Sequence, residues 1–184
     1  MKTFAISLKL IIALTILTGI VYPFLITVLG EGAFPKLSRG SRIEKDGRIV
    51  GSRLIGQKFL QEKYFWGRPS AIDYNPLPSG GSNLSPTSKK LADFADEQAK
   101  KIAAKGPFPQ DLIFASASGL DPHISIEAAA IQIDRVLRAR GWDESKKAAV
   151  QALIQEHTAP RQLGFLGEKR VNVLELNLAL DRLG

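Results

Sequence analysis

From Leu10 to Gly30 the chain runs for twenty-one residues without a charge, bounded by Lys9 and Glu31. At about 1.5 Å of rise per residue, a helix of that length covers roughly 30 Å, the hydrocarbon thickness of a bilayer. Leu, Ile, Val and Phe dominate the run, and its polar atoms belong to Thr15, Thr18, Tyr22 and Thr27. Threonine hydroxyls can bond back to carbonyls one turn earlier, which makes them cheap in lipid. Pro23 removes one helical hydrogen bond, which a membrane helix tolerates when neighbours satisfy the freed carbonyl. A cleaved signal peptide has a shorter apolar core and a small-x-small cleavage site, and residues 28–33 offer only a poor one. A buried core helix rarely reaches this length without a charge. The run therefore predicts one transmembrane helix over 10–30, a short basic tail over 1–9 and a tethered soluble domain over 31–184.

Beyond the anchor there is enough chain for one domain with a proper core. Lys2 and Lys9 precede the run, leaving 23 basic against 18 acidic residues beyond it. The excess is mild and scattered, without the clustered Arg, Lys and aromatics of a nucleic-acid groove, so no nucleic-acid partner is expected. The chain has no cysteine, which excludes disulfides, thiolate catalysis and Cys-ligated metals. Charge leaves sidedness open. Lys36, Arg39, Arg42, Lys45 and Arg48 argue for a cytoplasmic domain, whereas residues 31–35 carry no positive charge and a nine-residue basic tail is easily retained inside.

Asp46-Gly47 between Ile43 and Val50 predicts a hairpin with a tight turn, its second strand continuing toward Ile55. Phe59, Leu60, Tyr64, Phe65 and Trp66 read as core. Ser85 and Pro86 predict a helix start, with Leu91, Phe94, Ala95, Gln98 and Ile102 on one face and an end near Lys105. Leu112–Ala115 reads as a short strand, followed by a turn over 116–123. A helix is expected from Ser125 to Gly141, with Ile126, Ala129, Ala130, Ile133, Val136 and Leu137 inward. Another follows the cap Asp143, placing Val150, Leu153, Ile154 and His157 on one face before Pro160. At the end, Asn172 with Glu175 resembles a capping box, predicting a strand near 170–173 and then a helix to Leu183. The fold class is α+β, a short-stranded sheet with about four helices.

Between Arg68 and Pro86 lie nineteen residues rich in Pro, Gly, Ser and Asn. A structureless loop of that length inside a compact domain is unusual unless it binds something. Within it, Ser79, Gly80, Gly81, Ser82 and Asn83 could present backbone N–H groups to a phosphate as a nest does, although the stretch holds no lysine; the plainer reading is a loop packed on its own domain. Partner contact is expected at Arg68, Pro69, Ser70, Asp73 and Asn75, joined by Asp121 and His123 from the later turn. Ser118, Asp121 and His123 make a poor triad, since no G-x-S-x-G elbow surrounds the serine. Two histidines without Cys or H-x-x-x-H spacing argue against zinc. No catalytic and no metal residues are assigned.

Four separated stretches carry a resemblance. Residues 64–71 (YFWGRPSA), 79–84 (SGGSNL), 117–125 (ASGLDPHIS) and 170–181 (RVNVLELNLALD) resemble, in order and over nearly the whole chain, the C subunit of the bacterial Kdp potassium-transporting ATPase. One departure is Ser85 in Leu84-Ser85-Pro86-Thr87, where the family pattern has Gly; the reading of Ser85 as a cap is unaffected.

The resemblance implies a non-catalytic accessory subunit of a high-affinity, ATP-driven potassium uptake complex. Such a subunit stabilises assembly with an ATP-hydrolysing pump chain and a channel-like potassium-binding chain. It also acts as a catalytic chaperone that raises the pump's affinity for ATP. No cofactor is held tightly, ATP being reached through the pump subunit. By the same resemblance the protein is single-pass in the inner membrane, its N-terminus cytoplasmic and its domain extracytoplasmic, so the lysine count near the span is discounted. The ATP effect then has to travel through the membrane helix as a coupling between sites. The competing expectation is a membrane-anchored extracytoplasmic binding domain unrelated to potassium.

Overall fold

In the computed structural model, which describes residues 2–102 and 107–184, the chain divides into two compact units, one ending at Val50 and the other starting at Gly51. The first unit is dominated by helix. α1 (Lys2–Ile16) passes through one wide π turn (Leu17–Val21) into α2 (Tyr22–Ala33). The π turn has a local cause. Pro23 has no N–H to give Gly19, and just before it the Tyr22 N–H reaches back five residues to the Leu17 carbonyl. Thr18 Oγ1 donates to the Leu14 carbonyl at 2.7 Å and Thr27 Oγ1 to the Pro23 carbonyl at 2.8 Å, so the hydroxyls are satisfied within the helix as the sequence predicts. Helix runs continuously from Lys2 to Ala33, and its apolar side chains are exposed throughout. Among the described residues it is the one helix long and apolar enough to cross a membrane, which fits a single-pass membrane protein.

A short turn of helix, α3 (Pro35–Ser38), leads to the hairpin β1 (Arg42–Lys45) and β2 (Arg48–Ser52). Asp46 and Gly47 hold φ of 53° and 73°, the left-handed pair that a tight hairpin turn requires. The second strand stops at Ser52 instead of reaching Ile55, because Ser52 Oγ accepts from the Leu54 N–H at 3.1 Å and turns the chain.

The second unit is the α+β body. α4 (Lys89–Ile102), α5 (Gln110–Ile113), α6 (Ile126–Ile131), α7 (Ile133–Arg140), α8 (Ser145–Glu156) and α9 (Val173–Leu180) surround a small antiparallel sheet of β3 (His123–Ile124), β4 (Thr158–Ala159) and β5 (Arg170–Asn172). The order is β3-β5-β4, with Ile124 and Thr158 both opposite Val171. Phe65, Ile124, Val136, Val150, Val171, Leu176 and Leu180 are almost fully buried and form the centre of the core.

The caps follow their local chemistry. Ser125 Oγ accepts from the Ala128 N–H at 3.0 Å and Asn172 Oδ1 from the Glu175 N–H at 3.1 Å. At α8 the cap position falls on Glu144, which makes no side-chain cap bond, and Asp143, expected there, accepts from the Ser145 N–H at 3.0 Å from one residue further out. Gly141 ends α7 in the left-handed conformation. The inward face predicted for α4 is the observed one, and so is that of α8.

Some expectations fail. Leu112–Ala115 is not a strand. The Leu112 N–H bonds the Pro109 carbonyl and the Phe114 N–H bonds the Gln110 carbonyl, so the segment closes as a helical turn that buries Leu112. The first long helix of the second unit starts at Lys89, not Ser85. Pro86 and Thr87 form a preceding turn in which the Ser88 N–H meets the Ser85 carbonyl. Its predicted end near Lys105 lies outside the described residues. The helix from Ser125 to Gly141 breaks at Gln132, whose side chain is drawn into the interior, and Ala130 is exposed instead of inward. Leu60 is 73 % exposed and does not belong to the core.

Candidate functional site

Everything around the long loop hangs on the segment 64–68, which forms no sheet yet is pinned along its backbone by buried side chains. Asn177 accepts from the Phe65 N–H at 2.8 Å and donates Nδ2 to the Phe65 carbonyl at 2.9 Å. Gln132 does the same for Trp66, accepting from its N–H at 2.8 Å and donating to its carbonyl at 3.1 Å. Two amide side chains thus stand in for strand partners, and the buried backbone groups are satisfied. Arg135 reinforces them, donating to the Tyr64 carbonyl at 3.0 Å and to Gln132 Oε1 at 2.6 Å, with its guanidinium 3.8 Å from the Trp66 ring centre. Burial lowers the Arg135 pKa to about 10, against a partial rescue by Glu62, and the group remains a cation at neutral pH. These three residues were not anticipated from sequence. The available signal was a Gln and an Arg one turn apart on an otherwise apolar helical face.

Pinning this segment fixes Arg68. Its Nη1 meets Asp121 Oδ2 at 3.1 Å, and Asp121 Oδ1 accepts from the His123 N–H at 3.0 Å with His123 Nδ1 at 3.6 Å. Burial pushes the Asp121 pKa up, but the His123 side chain and N–H together with the Arg68 charge outweigh it and hold the carboxyl below its ordinary range. Arg68 Nε is buried without a partner among the described residues. The Arg68 carbonyl accepts from the Tyr74 hydroxyl, whose pKa is pushed up to about 12 by burial first and then by Asp121 and Asp73.

The loop folds back on this base. Ser70 Oγ accepts from the Ile72 and Tyr74 N–H groups, Asp73 pairs with Lys58, and Asn75 Oδ1 accepts from the Leu77 N–H at 3.0 Å. The Pro69 carbonyl accepts from the Ser116 N–H at 3.1 Å. Further along, the Gly80 N–H and the Ser79 hydroxyl both donate to the Ser118 carbonyl, at 3.0 and 2.8 Å. Gly81 lies so close to Ala117 that a Cβ there would stand 3.0 Å from its carbonyl oxygen. Across the contact, Gly119 has φ +69°, and a Cβ on it would fall 2.4 Å from Ile72. The two segments thus meet backbone to backbone, and the glycines permit it. Ser82 Oγ accepts weakly from the Leu84 N–H, and Asn83 holds φ +52°.

The structure therefore brings Arg68, Pro69, Ser70, Asp73, Asp121 and His123 into one braced patch. Asn75 sits on the exposed crown, and Ser79–Asn83 lie against the 116–119 turn. Ser118 Oγ accepts from the Leu120 N–H, an ordinary turn contact. His157 Nδ1 lies 3.0 Å from the Leu153 carbonyl on the half-buried face of α8. Two cavities flank Arg68. One, about 700 Å³, is an open basin of mixed lining, with Asp111, Asp121, His123, Glu127 and Arg170 beside Phe108 and Ile124 in its wall; the other, about 450 Å³, lies between α4 and residues 58–74 and is lined by Phe59, Trp66, Phe94 and Leu112. Among the described residues, no group of three or more His, Cys, Asp or Glu is placed to hold a metal. Such an arrangement can recognise a polar surface.

A family model described as "K+-transporting ATPase, c chain" matches residues 4–182. Among known proteins, one from Geobacter sulfurreducens is 50% identical over 190 residues, covering 100% of this chain and 99% of that protein. Another from Rhodopseudomonas palustris is 47% identical over 192 residues, 95% of each. A third from Gemmatimonas aurantiaca is 50% identical over 184 residues, 96% of this chain and 91% of the relative. All three carry the name "Potassium-transporting ATPase KdpC subunit".

Proposed function

The chain belongs to the family of K+-transporting ATPase c chains, and from that premise we propose that it holds the ATP-hydrolysing and potassium-binding chains of that ATPase together and raises the pump chain's affinity for ATP. It is a non-catalytic subunit of the ATPase, and the reading of it as a binding domain unrelated to potassium falls with its family. The observation that carries the assembly role is the braced loop: its base is locked through Arg68, Asp121 and Ser118, while residues 75–79 and 82–87 are left exposed. A surface held in shape before its partner arrives costs little ordering entropy on binding.

We place the N-terminal tail in the cytoplasm, the helix across the inner membrane and the domain outside. On that placement Ser79–Asn83 do not meet ATP, which agrees with the Gly80 N–H being spent on Ser118. The ATP effect is then a coupling through the helix, and linkage makes it reciprocal. ATP on the pump should tighten its hold on this chain by the factor by which this chain tightens ATP.

Two experiments test the reading. Pump and channel chains reconstituted with this chain should show a lower KM for ATP than without it; an unchanged KM would remove the chaperone role. A cysteine in place of the exposed Lys101 should react with a membrane-impermeant thiol reagent in intact cells. Labelling only after permeabilisation would put the domain inside.

A further inference from the structure

The connection between β4 and β5 combines full exposure with backbone closure. Residues 161–169 are all exposed, yet Gln162 and Leu166 exchange backbone hydrogen bonds at 2.9 Å in both directions, and the Phe165 N–H adds a third to the Gln162 carbonyl. The result is a pinned finger. At its tip Leu163 is 82 % exposed, Phe165 69 % and Leu166 46 %. Leu163 holds φ +52°, a left-handed conformation that a leucine adopts only at a cost in strain, and it is followed by glycines 164 and 167, which take the same sign of φ more easily. Three large apolar side chains are thereby presented to solvent on one short, closed loop.

At the root of the finger stand Arg161, Lys169 and Arg170, against the single acid Glu168. None of the three basic side chains has an ion pair among the described residues. An apolar tip with a basic collar complements a bilayer interface carrying anionic headgroups: apolar side chains enter the headgroup–acyl boundary while the cations stay with the phosphates. A single finger of this size binds a membrane weakly in free solution. Here the chain carries its own apolar helix, which keeps the finger at high effective concentration beside a bilayer.

We propose that the 161–170 finger is a second, interfacial membrane contact that inserts Leu163, Phe165 and Leu166 into a leaflet containing anionic lipid. The contact goes beyond the assembly role proposed above and does not depend on it.

The test uses the full chain in nanodiscs of equal parts phosphatidylglycerol and phosphatidylcholine. Phe165→Trp adds a fluorophore at the tip, and the unsubstituted chain gives the baseline from Trp66 and Trp142. Insertion predicts that the added emission is lost when the lipids are brominated near the top of the acyl chain. It also predicts that this loss shrinks in phosphatidylcholine alone or when Arg161→Gln and Lys169→Gln are combined. Added emission identical in brominated and plain anionic nanodiscs would overturn the proposal. So would a tip that stays quenchable by aqueous acrylamide until the other subunits are added, which would make it a protein contact. The substituted positions are exposed, so an unchanged unfolding profile of Phe165→Trp separates loss of insertion from loss of fold.

Discussion

Residues 64–68 and residues 75–86 are near neighbours in the chain and are held by opposite means. The first segment is half-buried around a fully buried Phe65 and fastened by side chains from distant helices, with Asn177, Gln132 and Arg135 completing its backbone hydrogen bonds. The second is exposed and fastened by its own backbone to the 116–120 turn, with glycines allowing the approach. The difference supports the roles proposed for them. A segment tied to the core can position Arg68 to within a hydrogen bond, while a crown tied only at its base keeps its side chains available to another molecule.

Substitutions should separate the two regions by magnitude. Asn177→Ala strips both bonds from the Phe65 backbone in a fully buried setting, and a loss of roughly 3 kcal/mol in unfolding free energy is expected from the unsatisfied groups and the cavity. A loss under about 1 kcal/mol, measured by denaturant titration of the detergent-solubilised chain, would mean water replaces the amide and the pinning is incidental. Next comes the turn on which the crown rests. Gly119→Ala must place a Cβ against Ile72 and the Gly80 carbonyl at a positive φ, and about 2 kcal/mol of destabilisation is expected. Gly80→Ala, where a Cβ meets open space, should stay within about 0.5 kcal/mol. Equal effects at the two glycines would break the account of the crown.

The pH dependence sharpens the comparison at Arg68. Asp121 has its pKa depressed in the folded chain, so its contribution is fully present above the unfolded value of about 3.9 and is lost as pH falls through the lower folded value. Asp121→Asn should therefore flatten the acid limb of the stability profile below about pH 4 and lower stability at neutral pH. An unchanged acid limb would show that the Arg68–Asp121–His123 cluster does not hold the loop base.

Much of the frame was legible because its signals are local. An uncharged run sets the long helix, Asp46-Gly47 sets the hairpin, and Ser125, Gly141 and Asn172 with Glu175 set helix ends by chemistry within three residues of themselves. The misreadings have two causes: local turns that outcompete the expected element, as at Ser52 with Leu54 and at Ser85 with Ser88, and contacts decided at long range. Leu112–Ala115 is apolar enough for a strand but finds no partner strand, so it closes on Pro109 and Gln110. Gln132 breaks its helix because Trp66, sixty-six residues earlier, needs its amide. The loop announced itself by composition, and Arg68 and Asp121, each expected at a partner contact, turn out to be ion-paired with one another at 3.1 Å. What composition could not reveal is that the Gly80 N–H, which suits a phosphate, is already bound to Ser118.

The central claim is that the crown of this loop is a subunit contact standing on a structural base, and one double measurement tests it. Asn75→Ala combined with Leu77→Ser changes two exposed crown side chains, one of them 82 % exposed, and should shift unfolding by less than about 0.5 kcal/mol. The same chain, expressed with its partner subunits, should recover markedly less of the pump and channel chains on affinity purification. Full recovery of the complex with a normally folded variant would contradict the claim.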